Sequence, residues 1–218
     1  GATAFGHPAR VTARVRLGSG KVVDILREVE MGGPNHTKGV LILGGFLAGR
    51  YLPDQPLSLS ASLVLEQNYG GVEGDSASMA EYVAIVSELA DVPIRQDLAI
   101  TGSINQLGEA QVIGGVHHKV EGVFRACQSL GALTGTQGVI LPQQNEPNLV
   151  LRDEVRDAIA AGRFRLFGVT RVEEAIALFT GMEVGRMDDE GKFPVESVYG
   201  RVLATLTRFD ATLASRHI

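Results

Sequence analysis

The sequence predicts an α/β fold of the α+β kind, built on a mixed sheet. Three observations carry this. Residues 9–67 show period-two apolar alternation, the mark of half-buried strands. Residues 76–181 alternate helix-like and strand-like segments, which argues an α/β arrangement. The 218 residues are 44% hydrophobic and 21% charged, ordinary for a globular chain with a sizeable core. The β-rich start favours a mixed sheet over a purely parallel one.

The elements follow in order. From Arg10 to Leu17, Val11, Ala13, Val15 and Leu17 alternate with polar residues, predicting a strand. Gly18-Ser19-Gly20-Lys21 is a turn signal, and Val22–Glu30 reads as the hairpin partner. Val40–Leu43 reads as a buried strand ending at Gly44-Gly45. Leu57, Leu59, Ala61, Leu63 and Leu65 alternate with serines, predicting another strand. Helices are expected over Ala77–Leu89, Val116–Leu130, Asn148–Ala161 and Val172–Phe179. Strands are expected over Leu98–Ile104, Gly138–Pro142 and Arg165–Val169. From 195 onward, Val195, Val198, Val202, Leu206, Phe209 and Leu213 recur at three- and four-residue spacing, an amphipathic helix. The expected organisation is a domain over 1–181, a polar, glycine-containing linker over 182–194 and a helical appendage over 195–218. With Gly1 rather than Met at its start, the chain reads as a piece of a longer protein.

Several function classes find no support. Net charge is −5 and there is no basic run, so no nucleic-acid partner is expected. The longest apolar run, Val40–Gly49, is far short of the about 20 residues that span a bilayer, so no membrane partner is expected either. No signal peptide is recognisable. Cys127, the single cysteine, reads as a buried thiol and cannot form an internal disulfide. There is no G-x-x-x-x-G-K-S/T, no H-E-x-x-H and no cysteine metal motif, so neither a cofactor nor a metal is expected in this chain. Gly44-Gly45, Gly70-Gly71 and Gly114-Gly115 read as turns or close backbone approaches.

The chemistry concentrates in two segments, GVEGDSASMA (71–80) and QVIGGVHHKV (111–120). Ser76 stands where an acidic turn, Glu73 and Asp75, meets the start of a helix. A serine hydroxyl needs a base to become a nucleophile. Unpaired amides at a helix start would favour negative charge developing there. The ordinary reading is that Asp75 or Ser76 simply caps the helix. Lys119, one turn into its helix, is a candidate base if apolar surroundings such as Val112, Ile113, Val116 and Val120 lower its pKa. A solvated surface lysine is the ordinary alternative. His117 and His118 compete as bases, but adjacent helical residues lie about 100° apart and do not share one site. His117 and Glu121 are spaced to pair as exposed neighbours. His7, His36 and His217 read as surface residues.

Taken together, GVEGDSAS and LAITGSINQLGEAQVIGGVHHKVEGV resemble the proteolytic domain of Lon-type proteases of the B-type subgroup. The likeness is strongest over 71–125 and extends over roughly 8–181. It implies the Lon proteolytic-domain fold, related to the ribosomal-protein-S5 second-domain-like fold. It implies a serine endopeptidase with Ser76 as nucleophile and Lys119 as base, 43 residues apart as in the family. Thr101 falls where the family holds the lysine amine. Glu73 and Asp75 match the B-type acidic turn, where an acidic residue next to the serine can pair with the lysine in an inactive arrangement. His117, His118 and Ser62 depart from common family patterns. The resemblance further implies unfolded or damaged protein substrates, a homo-hexamer, a cytoplasmic location, and ATP and Mg handled by an ATPase module outside this chain. Two other classes stay open: a non-catalytic Lon-like assembly module, and a serine hydrolase for small esters or amides.

Overall fold

The computed structural model describes residues 4–18, 21–24, 30–51, 57–66 and 68–215. Strands β1 (Val11–Leu17), β2 (Lys21–Asp24) and β3 (Leu59–Leu65) form a mixed sheet in the order β1-β3-β2. β3 is antiparallel to β1, with Val11 opposite Leu65, and parallel to β2, with Lys21 opposite Ser60. This corrects the expected hairpin, because β3 lies between the two segments that were to pair. Burial explains the order. Leu59, Ala61 and Leu63 are at most 2% exposed, and so apolar a face is covered best at the centre of the sheet. Residues 19–20 of the expected turn and 25–29 of the expected strand lie outside the described residues.

The strand expected over Val40–Leu43 is instead the middle of a long helix, α1 (Pro34–Tyr51). Its buried residues His36, Gly39, Val40, Leu43, Phe46, Leu47 and Tyr51 recur at helical spacing. The four consecutive apolar residues 40–43 hide that period, since such a run reads equally as a buried strand. Pro34 suits the first helical turn, where its missing N–H is not needed. Gly44 and Gly45 lie in the helix interior rather than in a turn. Each costs about 0.5–1 kcal/mol relative to alanine, and the buried apolar stripe offsets it.

Next come α2 (Ser78–Ala90), β4 (Leu98–Ile100), β5 (Ser103–Ile104), β6 (Ala110–Gln111) and α3 (Val116–Leu130). They lead into β7 (Gly138–Pro142), a short 3-10 helix (Gln143–Asn148) and α4 (Asp153–Ala160). β8 (Arg165–Val169), α5 (Val172–Thr180) and α6 (Val198–Ala214) complete the chain. The strand expected over Leu98–Ile104 is broken at Thr101-Gly102. The helix expected from Asn148 begins only at Asp153, because Pro147 and the 3-10 turn precede it.

β4, β7 and β8 form a parallel sheet in the order β4-β7-β8, and β5 pairs antiparallel with β6. Every residue of β7 is buried, so this strand is covered on both faces. Val139 and Leu141 face a cluster with Val120 and Phe124 of α3 and Val155 of α4. Ile140 faces the larger core, built from α1, α2, α5, α6 and the inner face of β3. Val198, Tyr199, Val202 and Leu206 of α6 are fully buried in that larger core. The Tyr82 hydroxyl lies 3.3 Å from that of Tyr51 and 3.4 Å from that of Tyr199. Burial pushes all three phenols well above the usual tyrosine range.

His36 is not the surface residue its sequence context suggested. It is 1% exposed, and its Nε2 lies 2.9 Å from Oε1 of the equally buried Glu81. The pair ties α1 to α2. The segment before β1 crosses α3 at a pair of glycines. A Cβ on Gly122 would stand 2.2 Å from the Gly6 carbonyl oxygen, and one on Gly6 would stand 2.3 Å from the His118 carbonyl oxygen. No described helix is long and apolar enough to cross a membrane.

Candidate active site

Ser76 sits in the turn that opens α2. Gly74, at φ 89°, supplies the left-handed residue this turn requires. The Ser78 amide donates to the Asp75 carbonyl at 3.0 Å, and the N-cap position belongs to Ala77, with no side-chain cap. The expectation that Asp75 or Ser76 caps α2 is therefore not met, which leaves the Ser76 hydroxyl available for another contact. Ser78 differs from it. Its hydroxyl is buried and accepts from the Ile104 amide at 3.1 Å, tying the helix start to β5.

Thr101-Gly102, the break between β4 and β5, lies against this turn. The Gly102 amide donates to the Ser76 carbonyl at 2.8 Å, and the Gly102 carbonyl accepts from the Met79 amide at 3.1 Å. A Cβ on Gly102 would meet the Met79 Cε at 2.5 Å and the Pro142 Cγ at 3.0 Å, so a side chain there would have to displace them. The Thr101 amide donates to the Ile140 carbonyl at 3.0 Å, holding the residue at the end of β4. Thr101 is 8% exposed.

Lys119 comes from the third element. Gly115, at φ 65°, is the N-cap of α3, and the Lys119 amide donates to its carbonyl. From there Lys119 Nζ reaches Ser76 Oγ at 2.7 Å and Thr101 Oγ1 at 3.2 Å. Burial pushes the Lys119 amine below the usual lysine range, and the negative charge of Asp75 works against that shift. Val112 adds little to this burial, being 54% exposed, whereas Ile113, Val116 and Val120 are buried.

The acidic turn is divided in its contacts. Glu73 is engaged away from the lysine: its carboxylate accepts from the Asn35 side chain, and it packs beside Gly33 at the start of α1. Asp75 lies under α1, where a Cβ on Gly39 would stand 3.1 Å from the Asp75 Cβ. Among the described residues the Asp75 carboxylate makes no hydrogen bond or ion pair, so it acts on Lys119 through its charge alone. The amides of Ser76 and Ala77 also have no acceptor among the described residues.

Two alternatives from the sequence fall away. The His117 and His118 rings lie against each other, centroids 4.0 Å apart and tilted by 44°, and neither bonds to Ser76. Glu121 does not pair with His117. It is buried and accepts from the Arg152 amide at 3.1 Å, with the Arg152 Nε 3.2 Å from its other oxygen. Cys127, read as a buried thiol, is only partly covered. No group of three or more metal-ligating side chains occurs among the described residues.

Sequence reasoning passed over Ser78, Gly39 and Gly102, all of which pack against the turn that carries Ser76. Gly102 carried a signal, a glycine interrupting a β-branched run. The others carried none that distinguishes them from their neighbours.

Residues 70–179, which contain Ser76, Thr101 and Lys119, match the family described as "Lon protease (S16) C-terminal proteolytic domain". The chain is 45% identical over 179 residues to an Escherichia coli (strain K12) protein named as a Lon protease homolog, covering 82% of this chain and 30% of that one. A Haemophilus influenzae protein of the same description is 44% identical over 181 residues, covering 83% of this chain and 30% of that one. An archaeal Lon protease from Halobacterium salinarum is 36% identical over 107 residues, covering 49% of this chain and 13% of that one. The chain thus spans less than a third of the length of these relatives.

Proposed function

This chain belongs to the Lon protease (S16) C-terminal proteolytic domain family, and on that footing we propose that it cleaves peptide bonds by a Ser76–Lys119 dyad assisted by Thr101. The observation that carries the proposal is the position of Lys119 Nζ, within hydrogen-bond reach of both Ser76 Oγ and Thr101 Oγ1 in a partly buried site.

Neutral Lys119 accepts the Ser76 proton as Oγ attacks the scissile carbonyl. The resulting ammonium is held by Thr101 Oγ1. The amides of Ser76 and Ala77, without an acceptor among the described residues, receive the oxyanion of the tetrahedral intermediate. Lys119 then gives its proton to the departing amine, leaving an ester on Ser76. Water attacks that ester with Lys119 again as base, which releases the acid product and restores the hydroxyl. Substrate is read as an extended segment that pairs with a sheet edge.

For a protein of the full length of the relatives we propose a wider role. Unfolded proteins are the substrates, six copies assemble, and ATP with Mg is used by an ATPase module elsewhere. The chain has no G-x-x-x-x-G-K-S/T pattern, so its own residues do not fit a nucleotide.

The test is cleavage of casein by the wild type, Ser76→Ala, Lys119→Ala and His118→Ala. Loss in the first two variants and retention in the third is expected. Retained cleavage in Lys119→Ala, with loss in His118→Ala, would overturn the dyad. A wild type that neither cleaves casein nor takes a fluorophosphonate label on Ser76 would favour the non-catalytic assembly module.

A further inference from the structure

Among the described residues, the loop that carries α3 into the site is hydrogen-bonded to one side chain. Residues 112–114 connect β6 to the Gly115 cap. Among the described residues, their hydrogen bonds to the rest of the molecule all run through Ile113 to Asn145. Asn145 Oδ1 accepts from the Ile113 amide at 3.2 Å, and Asn145 Nδ2 donates to the Ile113 carbonyl at 2.9 Å. A carboxamide matches a main-chain N–H and C=O pair as another strand would. Asn145 is 3% exposed and is the one buried residue of its 3-10 helix. A buried carboxamide is costly unless satisfied, which fixes its orientation.

The same stretch of chain also sets Thr101. β7 receives the Thr101 amide at the Ile140 carbonyl, and Asn145 follows five residues later. One continuous segment therefore fixes the hydroxyl that takes the lysine amine and the loop that aims the lysine. Lys119 lies one turn beyond that loop, so a small swing of the α3 start moves Nζ by more than the tolerance of its 2.7 Å contact with Ser76.

We propose that Asn145 is a positioning residue for the peptidase reaction, setting Lys119 on Ser76 by gripping both main-chain groups of Ile113. It touches neither substrate nor dyad and acts only through α3. The inference rests on the dyad reading for its effect on rate.

The experiment compares wild type, Asn145→Ala and Asn145→Asp, with Ser76→Ala as the inactive control. Asn145→Asp keeps the volume and one of the two bonds but sets a carboxylate oxygen against the Ile113 carbonyl. Two readouts are used. The first is kcat and KM on a peptide substrate against pH. The second is a 13Cε-lysine NMR titration of Lys119. The chain's lysines are Lys21, Lys38, Lys119 and Lys192, and a Lys119→Arg variant assigns the signal. For both Asn145 variants we expect kcat to fall about tenfold or more, with KM changing less than about twofold. The acid limb of the rate and the Lys119 titration should both move toward the ordinary lysine range as the amine gains solvent. Asp75 is the charge felt at that amine, and it is left in place throughout.

If Asn145→Ala does not fold, Asn145→Asp alone decides. A Lys119 titration that stays at its wild-type position in a folded variant overturns the positioning role, and so does a rate that falls only with the folded fraction. Absence of wild-type cleavage, together with a Lys119 titration that still moves in the Asn145 variants, would sink the dyad reading and leave the positioning intact.

Discussion

Replacing Thr101 by valine isolates one contact of the proposed mechanism. The substitution keeps shape and β-branching and removes only Oγ1, which accepts from Lys119 Nζ at 3.2 Å. The residue is 8% exposed, so water does not readily take the vacated place. The contact matters most after proton transfer, when Nζ is an ammonium and needs acceptors. Hydrogen bonds to charged groups contribute about 1.5–3 kcal/mol. Because each 1.36 kcal/mol is tenfold in rate, kcat should fall roughly 10- to 100-fold while KM changes little. Thr101→Ser restores the hydroxyl and should recover most of the rate. The assay is steady-state hydrolysis of a fluorogenic peptide, with thermal unfolding as the control for folding. A Thr101→Val enzyme within about twofold of wild type would refute the claim that Oγ1 holds the amine. So would a Thr101→Ser enzyme as slow as the valine variant.

Two further predictions come from the surroundings of the dyad. Asp75 raises the Lys119 pKa against the lowering by burial, so Asp75→Asn should lower that pKa further. The neutral lysine is then present at lower pH, and the acid limb of the pH–rate profile should move down, with more activity near neutrality. An unmoved limb, or one shifted upward, would show that the Asp75 charge does not reach the amine. One turn further along α3, a Cβ on Gly122 would stand 2.2 Å from the Gly6 carbonyl oxygen. Gly122→Ala should therefore lift the segment around Gly6 off the helix and raise its rate of cleavage by added trypsin at Arg10. An unchanged digestion rate would show that the helix, not the segment, yields.

The fold class was legible in the residues, whereas the set Ser76, Thr101 and Lys119 was singled out by the resemblance. Ser76 and Lys119 each lie beside a local signal, an acidic turn before a helix and a glycine pair before a helix, while Thr101 was read inside one continuous strand. Those two signals are short-range, and the structure keeps both. The order β1-β3-β2 was not readable, because pairing depends on which strand buries its face most completely. That is decided by what packs on the sheet. α1 was misread because Val40–Leu43 is apolar at every position, which erases the difference between periods of two and 3.6. His36 and Asn145 show the same limit for polar residues. Each has an unremarkable neighbourhood in sequence, and each is buried against a partner far along the chain, 45 residues for His36 with Glu81 and 32 for Asn145 with Ile113. Ser76, Thr101 and Lys119 stand at or near the ends of elements, and element ends leave local marks. The groups that hold those ends still are buried through long-range contacts, so they leave none. Thr101 belongs to both classes. Its hydroxyl faces the lysine while its amide registers the sheet at Ile140, so a substitution that spares the amide tests the chemistry without disturbing the frame.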